Sequence, residues 1–243
     1  MRVAVLSDIH SNLAALEAVL ADAGAVDAVW CLGDVVGYGP DPNECIERLR
    51  ELHAVCIVGN HDLAAVGRAP LVDFHAEAAA AARWTRRQLT PENREWLRTR
   101  PERVVLADQH ATLVHGSPRD PIWEYVLNTQ IAAGNLPYFD TLLCLIGHTH
   151  LPSSFQELAG GRIEVTLREA GSCVRLSEGR LIANPGSVGQ PRDGNPAASY
   201  LLYEPEQGTL VWRRAPYPVE STQRKMLAAG LPPRLARRLA EGW

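Results

Sequence analysis

In its first half the chain alternates short apolar runs with stretches whose apolar residues recur at helical spacing. Arg2–Leu6 is a short apolar run closed by Ser7 and Asp8, and it reads as a buried strand. From Asn12 to Ala23, Leu13, Leu16, Val19 and Leu20 mark a helix that stops at Gly24. Val26–Leu32 is the next strand. Asp41, Pro42 and Glu44 predict a helix start, with Asp41 as N-cap, proline in the first turn and Glu44 completing a capping box, and the helix runs to about Leu52. Ala54–Val58 is the third strand. Helices follow over Ala76–Gln88 and from Pro91 to about Arg98, the latter capped by Thr90, with Trp84, Leu89, Trp96 and Leu97 assigned to the core. The arginines between them read as a solvated face.

The second half is richer in strands. Arg103–Leu106 and Ala111–His115 make a hairpin-like pair, followed by a short helix over Thr129–Leu136 and a buried strand over Thr141–Ile146. Ile163–Leu167, Val174–Leu176, Arg180–Ala183, Ser199–Tyr203 and Thr209–Arg213 continue as strands. Helices over Val219–Ala229 and Pro233–Glu241 close the chain. No linker, repeat or change of composition divides it. The pattern predicts an α/β fold of two packed sheets with helices outside, as one domain over residues 1–243.

With 243 residues, 46% of them hydrophobic, the chain has ample material for a buried core. The net charge of −4 and the lack of an obvious basic face argue against a nucleic-acid partner. No apolar run approaches the ~20 residues needed to span a bilayer, and Met1 leads directly into a strand without a secretory signal. The cysteines (Cys31, Cys45, Cys56, Cys144 and Cys173) are odd in number, widely spaced and mostly within apolar runs. Buried, reduced thiols in a cytoplasmic protein are therefore expected.

The chemistry lies where strands run into loops. Asp8 and His10 stand in SDIHSN, Asp34 in LGD, Asn60 and His61 in VGNHD, His115 in VHG, and His148 and His150 in IGHTH. Carboxylates, imidazoles and an amide are a donor set for divalent metal ions. Read as extended chain, Asp8 and His10 point the same way, as do His148 and His150. In an open α/β sheet, ligands collect beyond the carboxyl ends of the strands, where all five clusters fall. Gly33 would let the backbone approach the ions. A lone D-x-H or H-x-H is more often structural, so the signal lies in the five clusters together.

The ordered series D-x-H, G-D, G-N-H-D, H-G and G-H-T-H, from Asp8 to His150, resembles the calcineurin-like metallophosphoesterases. The resemblance implies a double β-sheet sandwich flanked by helices and a two-metal site. It assigns Asp8, His10, Asp34 and His150 to one metal and Asp34, Asn60, His115 and His148 to the other, with Asp34 bridging. It places His61 against the substrate as the catalytic histidine, ligating neither ion. Two ions ~3.5–4 Å apart can share a hydroxide and clamp phosphoryl oxygens during in-line attack. His61 is then general acid or electrostatic stabiliser for the leaving group, and Asp62 is either its orienting partner or a surface carboxylate. The mixed oxygen and nitrogen donors suit Mn, Fe or Zn better than Mg or Ca.

One departure bears on the substrate. Phosphoprotein phosphatases of this superfamily follow G-D with x-x-D-R-G, whereas here the stretch reads Val35-Val36-Gly37-Tyr38-Gly39 after Gly33-Asp34. The chain looks more like the small prokaryotic phosphodiesterases and dinucleoside-polyphosphate hydrolases, whose loop after G-H-T-H is similar to Asn184–Arg192. Arg192 is the candidate for gripping phosphate, and Tyr38 for stacking on a base. The expected partner is a small phosphoester or nucleotide. The alternatives are a phosphomonoesterase or phosphoprotein phosphatase, a scaffold that has lost the chemistry, and a DNA nuclease. Val66–Phe74 and Ser117–Asn128 are expected to supply pocket walls. His53, His75 and His110 read as structural or exposed, and Arg224, Lys225, Arg234, Arg237 and Arg238 as a solvated helix face.

Overall fold

The structure, a computed structural model, describes residues 1–176 and 179–243. Among the described residues, twelve strands form two six-stranded mixed sheets. The first sheet has the order β3-β2-β1-β11-β12-β9, with β1 Val3–Leu6, β2 Ala28–Cys31, β3 Val55–Cys56, β9 Cys173–Arg175, β11 Ala198–Glu204 and β12 Thr209–Ala215. The second has the order β4-β5-β6-β10-β7-β8, with β4 Arg103–Leu106, β5 Ala111–Val114, β6 Leu143–Leu145, β7 Ser153–Glu157, β8 Ile163–Leu167 and β10 Leu181–Asn184. In the first sheet β1, β2 and β3 run parallel, and in the second β5, β6 and β10 do. Each parallel set ends on the same side as the candidate ligands.

The sheets pack face to face. Val3, Val5 and Tyr203 of one meet Leu113, Leu145 and Leu181 of the other, with Trp30 and Trp212 filling the same interior. On the outer face of the first sheet, Ala4, Leu6 and Cys31 pack on α1 (Leu13–Ala23) and α2 (Pro42–Glu51). On the outer face of the second, Cys144, Ile146 and Ile182 pack with Ala132 of α6 (Thr129–Asn135). Strands covered on both faces read as unbroken apolar runs, which is why VAVL in β1 is buried at every position. The result is the double-sheet sandwich flanked by helices that the motif series implied. Among the described residues, no helix is long and apolar enough to cross a membrane.

Several local expectations are corrected. A helix, α3 (Asn60–Val66), begins on the candidate ligand Asn60 itself. The polar run SSFQE forms β7, paired with the edge strand β8, and its Ser153 and Ser154 are buried. Asp41 makes no side-chain capping bond to α2 and instead accepts from Lys225 Nζ at 2.8 Å. Thr90 does cap α5 (Pro91–Arg98), accepting from the Asn93 amide. Four cysteines are buried, but Cys173 is exposed on the edge strand β9.

The remaining helices are α4 (Ala76–Gln88), α7 (Val219–Ala228) and α8 (Pro233–Glu241). Leu235, Ala236 and Leu239 of α8 pack with Met226 of α7, Ala78 and Ala81 of α4, and Tyr38. The C-terminal helices thereby cover one flank of the loop that follows β2.

Candidate metal centre and substrate cavity

The two sheets deliver their strand ends to one place, and the Asn184–Arg192 loop ties them together. Leaving β10 of the second sheet, it bonds to the first: Val188 N–H donates to Ser7 O, Gly189 N–H to Asp8 O, and Ser187 Oγ to Asp8 O. Asn184 Nδ2 donates to Gly147 O and to Thr149 Oγ1 in the loop after β6. This loop therefore sets the spacing between Asp8 and His148–His150.

The expectation that Asp8 and His10 sit in extended chain is wrong. Asp8, His10, Asp34, His148 and His150 all have positive φ, between 49° and 65°. Left-handed backbone at a non-glycine residue costs on the order of 1 kcal/mol or more and clusters at functional sites. The turns are held by paired backbone: Asp8 N–H donates to Gly33 O, and His10 N–H to Asp34 O. Gly33 serves the packing of these loops. A Cβ there would lie 2.6 Å from Gly59 N, so the glycine permits the loops after β2 and β3 to touch. Gly37, at φ +100°, likewise leaves room for the His61 ring.

The histidines show where their protons are. His10 Nδ1 lies 3.2 Å from Val36 O, His115 Nδ1 2.9 Å from Leu32 O, and His150 Nδ1 2.5 Å from Gln190 O. A carbonyl only accepts, so each Nδ1 donates and each neutral ring turns an Nε2 lone pair inward. Those lone pairs meet other acceptors. His150 Nε2 lies 3.1 Å from Asp8 Oδ1 and 3.2 Å from His10 Nε2. His115 Nε2 lies 3.1 Å from Asn60 Oδ1, 3.2 Å from His148 Nδ1 and 3.4 Å from Asp34 Oδ2.

Both carboxylates are divided in the same way. Asp8 Oδ2 accepts from Ser7 Oγ and the His148 amide, while Oδ1 is buried without a hydrogen bond. Asp34 Oδ1 accepts from the His61 amide, leaving Oδ2 within 3.7 Å of His10 Nε2 and 3.4 Å of His115 Nε2. Two groups result, Asp8–His10–His150 and Asp34–His115–His148, in each of which the donor atoms lie within 4.8 Å of one another, and Asp34 Oδ2 of the second also approaches His10 of the first. Buried acceptors facing acceptors are costly unless a cation lies between them. The donor set, inward lone pairs and second-layer carbonyls all fit metal ions.

Without metal, charge is distributed unevenly. Burial works to lower His115, but the Asp34 carboxylate outweighs it and holds the ring up at about 9. Burial, reinforced by His115, pushes His148 down to about 3. Burial raises Asp62 to about 7, with Asp34 adding to the effect. Asp62 is neither a surface carboxylate nor bonded to the His61 ring. It accepts from the Val36 and Gly59 amides and holds those two loops together.

His61 lies in the wall of a cavity of about 200 Å³ that opens over Asn60 and His148. Burial lowers the ring to about 4 despite the Asp34 carboxylate, and Arg192 pushes the same way. Its Nδ1 is buried without a partner. The ring contacts Tyr38 at 4.4 Å and Phe74 edge-on at 4.9 Å. Tyr38 is largely buried between His10 and His61, where it wedges the two histidines, and it also lines the cavity. Arg192 lines the cavity, with Nη2 donating to Gln190 Oε1.

Phe74 and Asp73 from one expected wall loop and Trp123 and Tyr125 from the other complete much of the lining. Tyr125 stacks on His148 with ring centroids 3.8 Å apart. One lining residue runs against the sequence reading: Arg238 borders the cavity instead of lying on a solvated face. His75 is exposed, as expected, and also borders the cavity. No local motif announces Arg238; its apolar neighbours Leu235 and Leu239 are the only signal that this turn of α8 packs inward.

The chain resembles several known proteins along nearly its whole length. A metallophosphoesterase from Sphaerobacter thermophilus has a crystal structure that superposes with a TM-score of 0.91, at 48% identity, covering 100% of this chain and 99% of that one. An uncharacterised protein of Methanocaldococcus jannaschii is 36% identical, over 99% of this chain and 98% of its own. Phosphodiesterase YfcE of Escherichia coli is 29% identical, over 83% of this chain and 87% of its own. The model of the calcineurin-like phosphoesterase superfamily domain matches residues 1–208. This chain belongs to that superfamily and is a phosphoric ester hydrolase.

Proposed function

We propose that the protein hydrolyses small phosphodiesters or nucleotides at a two-metal centre, with residues 1–243 acting as one domain. The observation that carries this reading is the set of inward Nε2 lone pairs and free carboxylate oxygens flanking Asp34, directly beneath a cavity lined by His61 and Arg192. Asp8, His10, Asp34 and His150 would hold one ion, and Asp34, Asn60, His115 and His148 the other. Such ions, Mn, Fe or Zn by donor type, supply an activated water nucleophile and neutralise charge on the phosphoryl group.

The remaining work falls to side chains. Arg192 orients the phosphoryl oxygens by its planar fork. His61 faces the leaving group. Neutral when the site is empty of substrate, it gains a proton more readily once a phosphate anion lies beside it, because the opposite charge offsets the burial that lowers it. It then donates that proton to the departing oxygen. Tyr38 and Phe74 hold its ring in place.

A diester or nucleotide is favoured over a phosphoprotein. The stretch Val35–Gly39 has no acid or arginine in the places where phosphoprotein phosphatases have theirs, and YfcE, a relative by sequence, is a phosphodiesterase. The test is Mn-reconstituted protein assayed on a nitrophenyl monoester, a bis-nitrophenyl diester and a dinucleoside tetraphosphate. Preference for the diester or the dinucleotide is expected. Preference for the monoester would replace the reading with a phosphatase, and absence of turnover with metal bound would replace it with a scaffold.

A further inference from the structure

The superfamily match ends at residue 208, yet a residue of α8, thirty positions further on, reaches the cavity. Arg238 is partly buried, whereas Arg234 and Arg237 on the same helix are exposed. Leu235, Ala236 and Leu239 seat this turn against Tyr38, Ala78 and Ala81, which fixes Arg238 beside the cavity that holds Arg192.

Arg192 has no carboxylate partner among the described residues within ion-pairing distance, and its Nη2 donates to the neutral Gln190 amide oxygen. Arg238 Nε donates to a main-chain oxygen of Trp243, the last residue of the sequence, while no Asp or Glu among the described residues lies within ion-pairing distance of its guanidinium. Arg192 Nε is buried with no partner. Burial and then Arg192 push Arg238 below its ordinary value, as like charges drawn from water do. Two half-desolvated cations in one cavity are unfavourable unless an anion joins them. The metal-ligand groups lie on the side of His61 and His148, so the scissile phosphoryl group belongs there.

We propose that Arg238 holds a second, non-scissile phosphoryl group beside the one that Arg192 orients, and that the preferred substrates are phosphoesters carrying a diphosphate or longer chain. Guanidinium forks match phosphate oxygens in a way that a neutral lining cannot. Phe74 and Trp123, which meet edge-on at 6.1 Å, leave an aromatic face beside this clamp for a planar group. The proposal rests on the phosphodiesterase reading for which phosphoryl group is cleaved, but the clamp itself is testable by binding alone.

The experiment compares adenosine 5′-diphosphate with adenosine 5′-monophosphate by calorimetry on the Mn-loaded full chain. Wild type should bind the diphosphate at least about tenfold more tightly, from one added charge-assisted contact. Arg238→Gln should reduce that ratio to about twofold or less, and Arg238→Lys should restore it in part. Arg234→Gln, on the same helix but paired with Glu77, should leave the ratio unchanged and controls for damage to α8. An unchanged ratio in a folded Arg238→Gln protein overturns the proposal, as does a wild type that does not discriminate or does not bind. Turnover of bis-nitrophenyl phosphate by the same wild-type sample separates the two claims. A preserved ratio without turnover removes the phosphodiesterase reading and keeps the clamp; turnover without a ratio does the reverse.

Discussion

The floor of the cavity comes from residues that leave β1, β2, β3, β5 and β6 within a few positions of each strand's end, while its wall comes from two loops and the penultimate turn of the chain. Floor residues are buried; His10, His115 and His150 are bonded to backbone carbonyls, and Asp8, His10, Asp34, His148 and His150 sit in left-handed turns. Wall residues are half exposed: Trp123 and Tyr125 keep 39% and 44% of their surface. The wall loop is held mainly by Glu124, which pairs with Arg119 and accepts from Ser117 and Asn135. Rigid sheets support the groups that must be placed to a fraction of an ångström, and surface segments support the groups that choose among substrates. The account thus assigns chemistry to the floor and selection to the wall.

The largest effect should come from the floor. Asp34→Asn removes the carboxylate proposed to bridge the two metal positions, and diester turnover should fall to background; near-wild-type turnover would end the bridging assignment. His61→Ala should keep its metal and lose about 10²–10⁴ in kcat, with the smallest loss for good leaving groups. An equal loss across a leaving-group series would remove the proton-donor role.

Metal affinity should follow pH through His115. In metal-free protein this ring is protonated below about 9, so an ion must displace that proton. Affinity should rise about tenfold per pH unit between 7 and 9 and then level off. Calorimetry in buffers of different ionisation enthalpy would detect the released proton, and a pH-independent affinity would contradict the raised His115.

The wall should behave differently. Trp123→Ala should raise KM for a nucleotide substrate by about 1–3 kcal/mol in binding while metal content stays at the wild-type level. A loss confined to kcat would break the division between floor and wall. The smallest effect belongs to Glu124. Its hydrogen bond from Arg119 holds the carboxyl at about 2, below the ordinary 4.5. A depressed acid stabilises the fold above its unfolded value and loses that contribution as pH falls through the folded one. Wild type should therefore lose stability between pH 4.5 and about 2 more steeply than Glu124→Gln, as read by thermal unfolding across that range.

The same division explains what was legible in the sequence. Asp8, His10, Asp34, Asn60, His115, His148 and His150 each adjoin an apolar run that could only be a buried strand, so their convergence followed from topology. Their backbone conformation did not, because a D-x-H spacing looks alike in extended and left-handed chain. The helix α3 was hidden because it starts on ligand residues with a glycine before it and spans only Asn60–Val66. Burial of Asp62 was hidden too, since its long-range partner, the Val36 amide, leaves no mark near it in the sequence, and its bond from the Gly59 amide three residues back resembles that of a turn carboxylate. The wall loops could be named but not shaped. Arg238 was misread because three arginines within five residues suggest solvent, and only the packing of Leu235 and Leu239 on Tyr38 shows which one turns inward.

The central claim is that Asp34 stands between two metal ions. The direct test is elemental analysis of wild-type and Asp34→Asn protein after Mn reconstitution and desalting, with diester turnover read on the same samples. The account predicts two equivalents of metal per wild-type chain and a loss from both positions in Asp34→Asn, together with loss of activity. Full activity in wild type carrying a single equivalent, or two retained equivalents in Asp34→Asn, would contradict it.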